Sequence, residues 1–543
     1  MPTGKNHFAT ALSPAEVLCA ALPGLLLATL CLLPFLNKAF TIDDPFFLLE
    51  AQQILKTPLH PMSFDICWQG NETCGVAADI APNAALMGYA LIPAILGNGA
   101  EWIAHAEQLV FAWVAILAMA AIAIGMGWSR SHAMFAGLLL VAIPPFLPMA
   151  STAMPDTLSL CLTLVGIERL LAWKSERRWW QALTAGLALG IAPYGRPHLV
   201  LFLALAAVLL LDNCKISSLP DQFKEWPWRW TPIGIGLLVL ATIVLLTHHG
   251  EAVLISSGSN EGASGLRHNI FSCFLYLTIP IPLAVPWAFA HWRRAPALFL
   301  ATPLAFVIGV RLLLGPTRTA PWALLASFVA AASLADLLFN AWQSREHSRV
   351  LLALWILIPL PVVFYNHFPI KFLLPICPAV VLVLFQLSRG VSPRVAIVCG
   401  ALLVAAGTAY SCVILKADYR FANMSRTAAR ELVEPHIAAG ERVWVAGQWG
   451  FYWYALRAGA QVTRPDDPGP YPGDLLAIPT GLAGSATTLY RIPNRTLVRT
   501  YADSCACGRT MTDGAGLYTN ALGNLLWVWA RGPLDRFELW RVY

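Results

Sequence analysis

Asp43 and Asp44 stand side by side directly after the first long apolar stretch, at the head of DDPFFLLEAQQIL. A carboxylate is costly to leave near hydrocarbon, so a pair placed where a chain leaves a bilayer points to work at the membrane surface. One of them can take the proton from an attacking hydroxyl, given a reach of about 3 Å, while its neighbour holds the acceptor. The competing reading is a helix start, with Asp at the N-cap and Pro45 in the first turn, although that needs only one acid. Glu50 follows on the same helix, with a solvated helix face as its competing reading. Asp156, in STAMPDTLSL, is either a further active-site acid or the N-cap of the next span.

Cations that would complement these acids recur along the chain. Arg267 and His268 lie in SSGSNEGASGLRHN, Arg311 and Arg318 bracket LLLGPT, and Lys371 follows YNHFPI, which contains His367. Singly, each cation reads as a snorkelling or interfacial anchor. Together they can bind phosphate, with Arg suited to bidentate contact. His367 reads as structural or as a supporting group.

The elements that must position these residues follow from composition. The chain has 543 residues, of which 57% are hydrophobic and 12% charged, and its mean hydropathy is +0.62. That is more apolar surface than a soluble core can use, and it predicts a mainly α-helical polytopic membrane protein. The net charge of +6 is carried largely in short loops, where topology explains it, and implies no nucleic-acid partner. Apolar runs at about 15–36, 104–127, 133–149, 157–173, 182–194, 198–211, 232–248, 271–290, 296–314, 321–341, 350–365, 372–388 and 395–414 predict thirteen spans, the first a retained span rather than a signal peptide. Prolines 193 and 197 are expected to break one hairpin or make a re-entrant turn. With a cytoplasmic N-terminus, fourteen cations fall inside and seven outside: Lys38, Lys56, Arg196, Arg267, Arg311, Arg318 and Lys371.

An odd number of spans puts Asp43, Asp44, Asp156 and the C-terminal tail on the same face. The expected organisation is a membrane module over 1–415, with an external loop at 37–80 that is helical over 45–55, and a soluble extracytoplasmic α/β domain over 416–543. In the tail, a helix at 424–439 ends at Gly440, and strand-like runs follow at RVWVAG, DLLAIPT, TLVRTY, NLLWVWA and FELWRVY. Of the twelve cysteines, Cys67, Cys74, Cys505 and Cys507 fall outside, where bridges can form. A Cys67–Cys74 disulfide is preferred over free thiols or a pairing with Cys505 or Cys507. No spacing makes a zinc site.

Acids that activate a hydroxyl and cations that hold phosphate, both at the outer leaflet, imply a lipid-phosphate donor. The leaving group is then a polyprenyl phosphate, whose growing charge Arg and Lys stabilise, and the fitting reaction is glycosyl transfer. A transporter or flippase of lipid-linked sugars, or a non-catalytic membrane receptor, is the alternative; transporters favour charge at the midplane and repeated halves. A divalent cation is compatible with such a donor but not required.

The order of features resembles the GT-C class of polyprenyl-phosphate-sugar glycosyltransferases, in the superfamily of protein O-mannosyltransferases and lipid A aminoarabinose transferases, most closely a bacterial branch of it. The carriers are FTIDDPFFLLEAQQIL, STAMPDTLSLCLTLVGIERLLAW, WWQALTAGLALGIAPYGRP and HFPIKFLLPICPAVVLV, with ERVWVAGQWGFYWYALRAGA and GDLLAIPT in the tail. The resemblance implies a GT-C fold in a bacterial inner membrane and inversion at the sugar carbon. It implies a donor of polyprenyl-phosphate-linked sugar and a hydroxyl acceptor on an envelope lipid, glycan or protein. Asp43 would be the base, Asp44 the second acid, Asp156 a further acid, and Lys371 a donor-phosphate ligand with an arginine from the loops. DIAPNAALMGY departs from the family pattern, which places a basic residue or His before Pro-Pro, and the second acid is Asp in place of the more usual Glu.

Overall fold

The structure, a computed structural model, describes residues 13–71, 74–80, 85–211, 227–247, 263–277, 339, 347–365, 367–388, 392–464, 469–482 and 492–543. The expected spans at 296–314 and 321–341 lie outside these residues, Phe339 excepted, as do Arg311 and Arg318.

Helices dominate. They are α1 (Pro14–Leu32), α2 (Asp44–Lys56), α3 (Glu101–Gly125), α4 (Arg130–Ala142), α5 (Asp156–Glu176), α6 (Trp179–Ile191), α7 (Phe202–Leu210), α8 (Thr231–Thr247), α9 (Ala263–Leu277), α10 (His347–Leu357), α11 (Cys377–Ser388), α12 (Pro393–Leu432) and α13 (Trp449–Ala458), with shorter turns between them. Among the described residues, five helical stretches are long and apolar enough to cross a membrane: Pro14–Phe35, Glu101–Gly125, Trp228–Leu246, His347–Phe364 and Pro393–Ala438. Several runs expected as spans are shorter, because proline removes a backbone donor and interrupts the ladder. Thus α4 stops ahead of Pro144 and Pro145, and a 3-10 turn at Ile370–Ile376 precedes α11. Pro193 and Pro197 each sit in a 3-10 turn, Ala192–Tyr194 and Pro197–Leu201, which breaks the chain between α6 and α7.

Packing explains the small residues. Helix α3 lies against α4 and α5, and α1 against α3 and α4, with Ala104, Ala112, Ala115 and Ala120 of α3 fully buried. Small side chains let helix backbones approach where lipid offers no hydrophobic drive. The tightest approach is between α6 and α8. A Cβ on Gly186 would stand 2.6 Å from Ile235 and 2.7 Å from the Pro232 carbonyl, and one on Gly190 2.6 Å from the Gly236 carbonyl.

The tail builds a mixed sheet. Strands β3 (Val443–Val445), β4 (Gln461–Val462), β5 (Leu475–Pro479), β6 (Arg495–Tyr501) and β11 (Phe537–Val542) take the order β4-β3-β5-β11-β6. β3 runs parallel to β4 and β5, with α13 as the β3–β4 crossover, and β11 runs antiparallel to β5 and β6. Outside this sheet, β7 (Ser504–Arg509) and β10 (Val528–Pro533) pair antiparallel, and the chain between them carries β8 (Met511–Thr512) and β9 (Ala515–Gly516). The sequence reading had no strand at 504–509. It also separated helices at 395–414 and 424–439; α12 instead runs unbroken through residue 415 to Leu432, followed by a turn at Glu434–Ala438. Gly440 then takes φ +80° and closes that end. In the external loop, β1 (Asp65–Asn71) and β2 (Cys74–Val76) form a hairpin whose Cys67 and Cys74 are cross-strand partners joined by a disulfide. Cys505 and Cys507 are bridged to each other.

Because Gly190 faces backbone, which cannot move aside like a flexible side chain, Gly190→Leu is expected to destabilise the protein by about 1–3 kcal/mol or more through overpacking. Thermal unfolding in detergent checks this: a lowered melting temperature is expected, and an unchanged one contradicts the close α6–α8 approach.

Candidate active site

The acid pair opens α2, but neither carboxylate caps it. Asp43 occupies the N-cap position without any side-chain capping bond, and its carboxylate instead stands 3.7 Å from Lys371 Nζ. Asp43 is the open member, with a third of its side chain exposed, while Lys371 is 3% exposed. Asp44 is fully buried. Its Oδ2 accepts from the Thr41 backbone N–H at 3.0 Å, and its Oδ1 has no hydrogen-bond partner among the described residues. Between Thr41 and the pair, Ile42 holds φ +50°. A β-branched residue in the left-handed region costs about 1–3 kcal/mol and persists only where its surroundings impose it.

Asp156 begins α5, and its carboxylate is likewise not a cap. Arg196, from the turn between α6 and α7, donates to it through Nε at 2.9 Å and through a terminal nitrogen at 2.6 Å, the bidentate geometry of a strong pair. The Arg196 guanidinium also lies 5.6 Å from the Phe372 ring centroid. The residue after Phe372's neighbour Lys371 is thus an aromatic floor for the arginine, and Lys371 and Arg196 both enter from turns that prolines create. Lys371 Nζ is also 3.5 Å from Met154 Sδ and 6.0 Å from the Tyr518 ring centroid.

A second buried cluster backs the first. Lys38 and Asp418 are fully buried and form an ion pair. The Tyr518 hydroxyl donates to Asp418 Oδ2 at 2.6 Å and Thr510 Oγ1 reaches Asp418 Oδ1 at 3.4 Å, while Lys38 Nζ donates to Ser151 Oγ at 3.4 Å. Burial pushes the Asp44 carboxyl up to about 7; Lys38 and the Thr41 N–H pull it down, and Asp418 and Asp43 push it further up.

The remaining sequence candidates fall into place unevenly. Glu50, for which a solvated helix face was the competing reading, is fully buried: α2 packs against the helical turn at Leu86–Ala90, and a Cβ on Gly88 would stand 2.7 Å from Glu50 Cβ. His367 sits half-buried among rings, its centroid 5.2 Å from Tyr365 and 6.1 Å from Phe372. Burial first, and Lys371 next, hold its imidazole down at about 4, so it is neutral at neutral pH. His268, on α9, meets the Asn520 carbonyl at 2.9 Å through Nε2. Arg267 is on the same helix, with its side chain outside the described residues. Lys38 and Arg196 entered the sequence reading only as stray outer cations, a charge anomaly that was their one signal. Asp418, Tyr518 and Asn520 were missed; a buried polar residue of the tail has no local signature.

The chain was compared with known proteins in three ways. No family model matches it, and no curated protein matches it. Among solved structures, it is similar to a crystal structure of ArnT from Cupriavidus metallidurans bound to undecaprenyl phosphate, at 14% identity over 90% of this chain and 96% of that one, with a TM-score of 0.46. It is also similar to ArnT from the same organism in the apo state, at 13% identity over 97% and 98% of the two chains, with a TM-score of 0.42.

The position of Asp44 makes stability depend on pH. Its folded carboxyl is held above its unfolded value of 3.8, at about 7, so the folded state keeps a proton that the unfolded state loses. The stabilisation is fully present below about pH 4 and is lost as pH rises through about 7. Asp44→Asn is expected to flatten the fall in stability between those values, read from chemical unfolding at a series of pH values. An unchanged slope contradicts a buried, proton-holding Asp44.

Proposed function

We propose that this protein is an integral-membrane inverting glycosyltransferase that moves a sugar from a polyprenyl-phosphate donor to a hydroxyl acceptor at the outer face of the membrane. One observation carries the reading: Asp43 is the open member of a buried acid pair, released from helix capping, and faces Lys371 at 3.7 Å beside the Asp156–Arg196 pair. A carboxylate that is reachable from outside and a cation that is shut away beside it are the two groups that this displacement needs.

In the proposed step the acceptor oxygen forms a bond to the anomeric carbon as the bond from that carbon to the phosphate oxygen breaks. The electron pair leaves with the polyprenyl phosphate, and the acceptor proton goes to Asp43. Lys371 meets the charge that develops on the leaving phosphate in a site of low dielectric, where a fixed cation is worth far more than in water. Asp156 acts through Arg196, which it holds at two nitrogens and leaves with further donors for phosphate. Asp44, protonated near neutral pH, donates or accepts at the acceptor side without adding a second negative charge next to Asp43. Arg267, Arg311 and Arg318 remain donor-phosphate candidates, and the acceptor is an envelope lipid, glycan or protein.

Asp43→Asn keeps the shape of the residue and removes the base. In cells lacking the native protein, mass spectrometry of envelope lipids and glycans is expected to show a sugar restored by the wild type, and transfer about 10²–10⁴-fold lower with the variant. Retained binding of undecaprenyl phosphate by the purified variant would show that its fold survives. Full restoration of the glycan by Asp43→Asn would overturn the assignment of the base.

A further inference from the structure

A single turn of the tail, between β9 and β10, reaches both buried clusters. Tyr518 bonds Asp418 through its hydroxyl and presents its ring to Lys371. Two residues on, Asn520 is 2% exposed and fully engaged. Its Oδ1 accepts from the Phe368 backbone N–H at 2.9 Å, and its Nδ2 donates to Asn269 Oδ1 at 2.9 Å and to Ser272 Oγ at 3.0 Å. Its own carbonyl meets His268 Nε2. Asn269 extends the contact, donating to the carbonyls of Val363 at 3.1 Å and Tyr365 at 2.7 Å. Every one of these bonds ends on α9 or on the chain leading into Lys371.

That chain has no regular ladder of its own to hold it. It passes from a 3-10 turn at Leu360–Phe364 into another at Ile370–Ile376, with Pro369 between them. A side-chain amide that satisfies one backbone donor directly, and two carbonyls through Asn269, supplies the missing partners that buried backbone requires. We infer that Asn520 is a positioning residue: it clamps the segment carrying Lys371 to α9 and so fixes the Lys371 ammonium against Asp43. The inference rests on the donor-phosphate reading of Lys371; its own content is that the tail, through one amide, sets where that cation stands.

The test uses the full-length protein in lipid nanodiscs, with undecaprenyl phosphate as the probe and hydrogen–deuterium exchange of peptides covering 363–371 as a second readout. Loss of the Asn520 bonds in Asn520→Ala is expected to speed exchange in 363–371 and to weaken probe binding, each by about tenfold. Exchange in α3 should stay unchanged. Asn520→Asp keeps the acceptor for Phe368 N–H and loses the two donations, so it should fall between the two; it also serves if the alanine variant does not fold. Faster exchange with unchanged probe binding would make Asn520 merely structural and overturn the inference, as would unchanged exchange. If the wild type and Lys371→Ala bind the probe alike, the donor-phosphate reading fails, and the exchange rate of 363–371 alone decides whether the clamp exists.

Discussion

Lys38 and Asp418 come from opposite ends of the chain, are both shut off from solvent, and are bonded to each other. Burying two charges carries a desolvation penalty of several kcal/mol per ion, which their attraction offsets only if the other polar atoms are also satisfied. Here they are: Tyr518 and Thr510 donate to Asp418, and Ser151 accepts from Lys38. The four partners of this pair lie after α1, before α5, on α12 and in the turn between β7 and β10. No hydrophobic contact would fix their register so narrowly, since apolar surfaces slide at little cost, whereas removing either ion leaves the other uncompensated, a loss of about 3–5 kcal/mol.

The geometry of the site follows from that junction. With Lys38 committed to Asp418, the carboxyl of Asp44 lies between a cation that it does not own and two further acids, and burial tips it toward the protonated form. Asp43 is left as the exposed carboxylate, and Lys371, held by its surroundings, becomes its partner. The strained backbone at Ile42 is where the chain turns from the Lys38 cluster to the Asp43 cluster within five residues. Two acids that are neighbours in sequence thus acquire different environments, and different environments give like groups separate tasks.

Much of the scaffold can be read from the sequence, and the reason is periodicity and chain breakers. Apolar length located α1, α3, α5 and α12, Asp43 with Pro45 marked the start of α2, and Gly440 marked a helix end. The same logic misjudged two places. The run into α12 changes from apolar to polar near residue 415, which hid the continuity of one helix across two solvents; backbone hydrogen bonds are indifferent to that change. Glu50 carries a charge on an amphipathic helix and was open to a solvated reading, yet α2 is covered on that side by the turn at Leu86–Ala90. Within the site, the acids and Lys371 were legible because charge at a membrane edge is expensive. Arg196 was visible only as a misplaced cation, and its bond to Asp156 spans forty residues of sequence. Asp418, Tyr518 and Asn520 have meaning only in three dimensions.

The central claim is that Lys371, seated between Asp43 and the Asp156–Arg196 pair, receives the phosphate of a polyprenyl donor. A cryo-electron microscopy structure of the protein in nanodiscs with saturating undecaprenyl phosphate tests it most directly. The account predicts phosphate density within hydrogen-bonding reach of Lys371 Nζ and on the same side of Asp43 as Arg196. Phosphate bound elsewhere, with this cluster left as it is in the free protein, would contradict it.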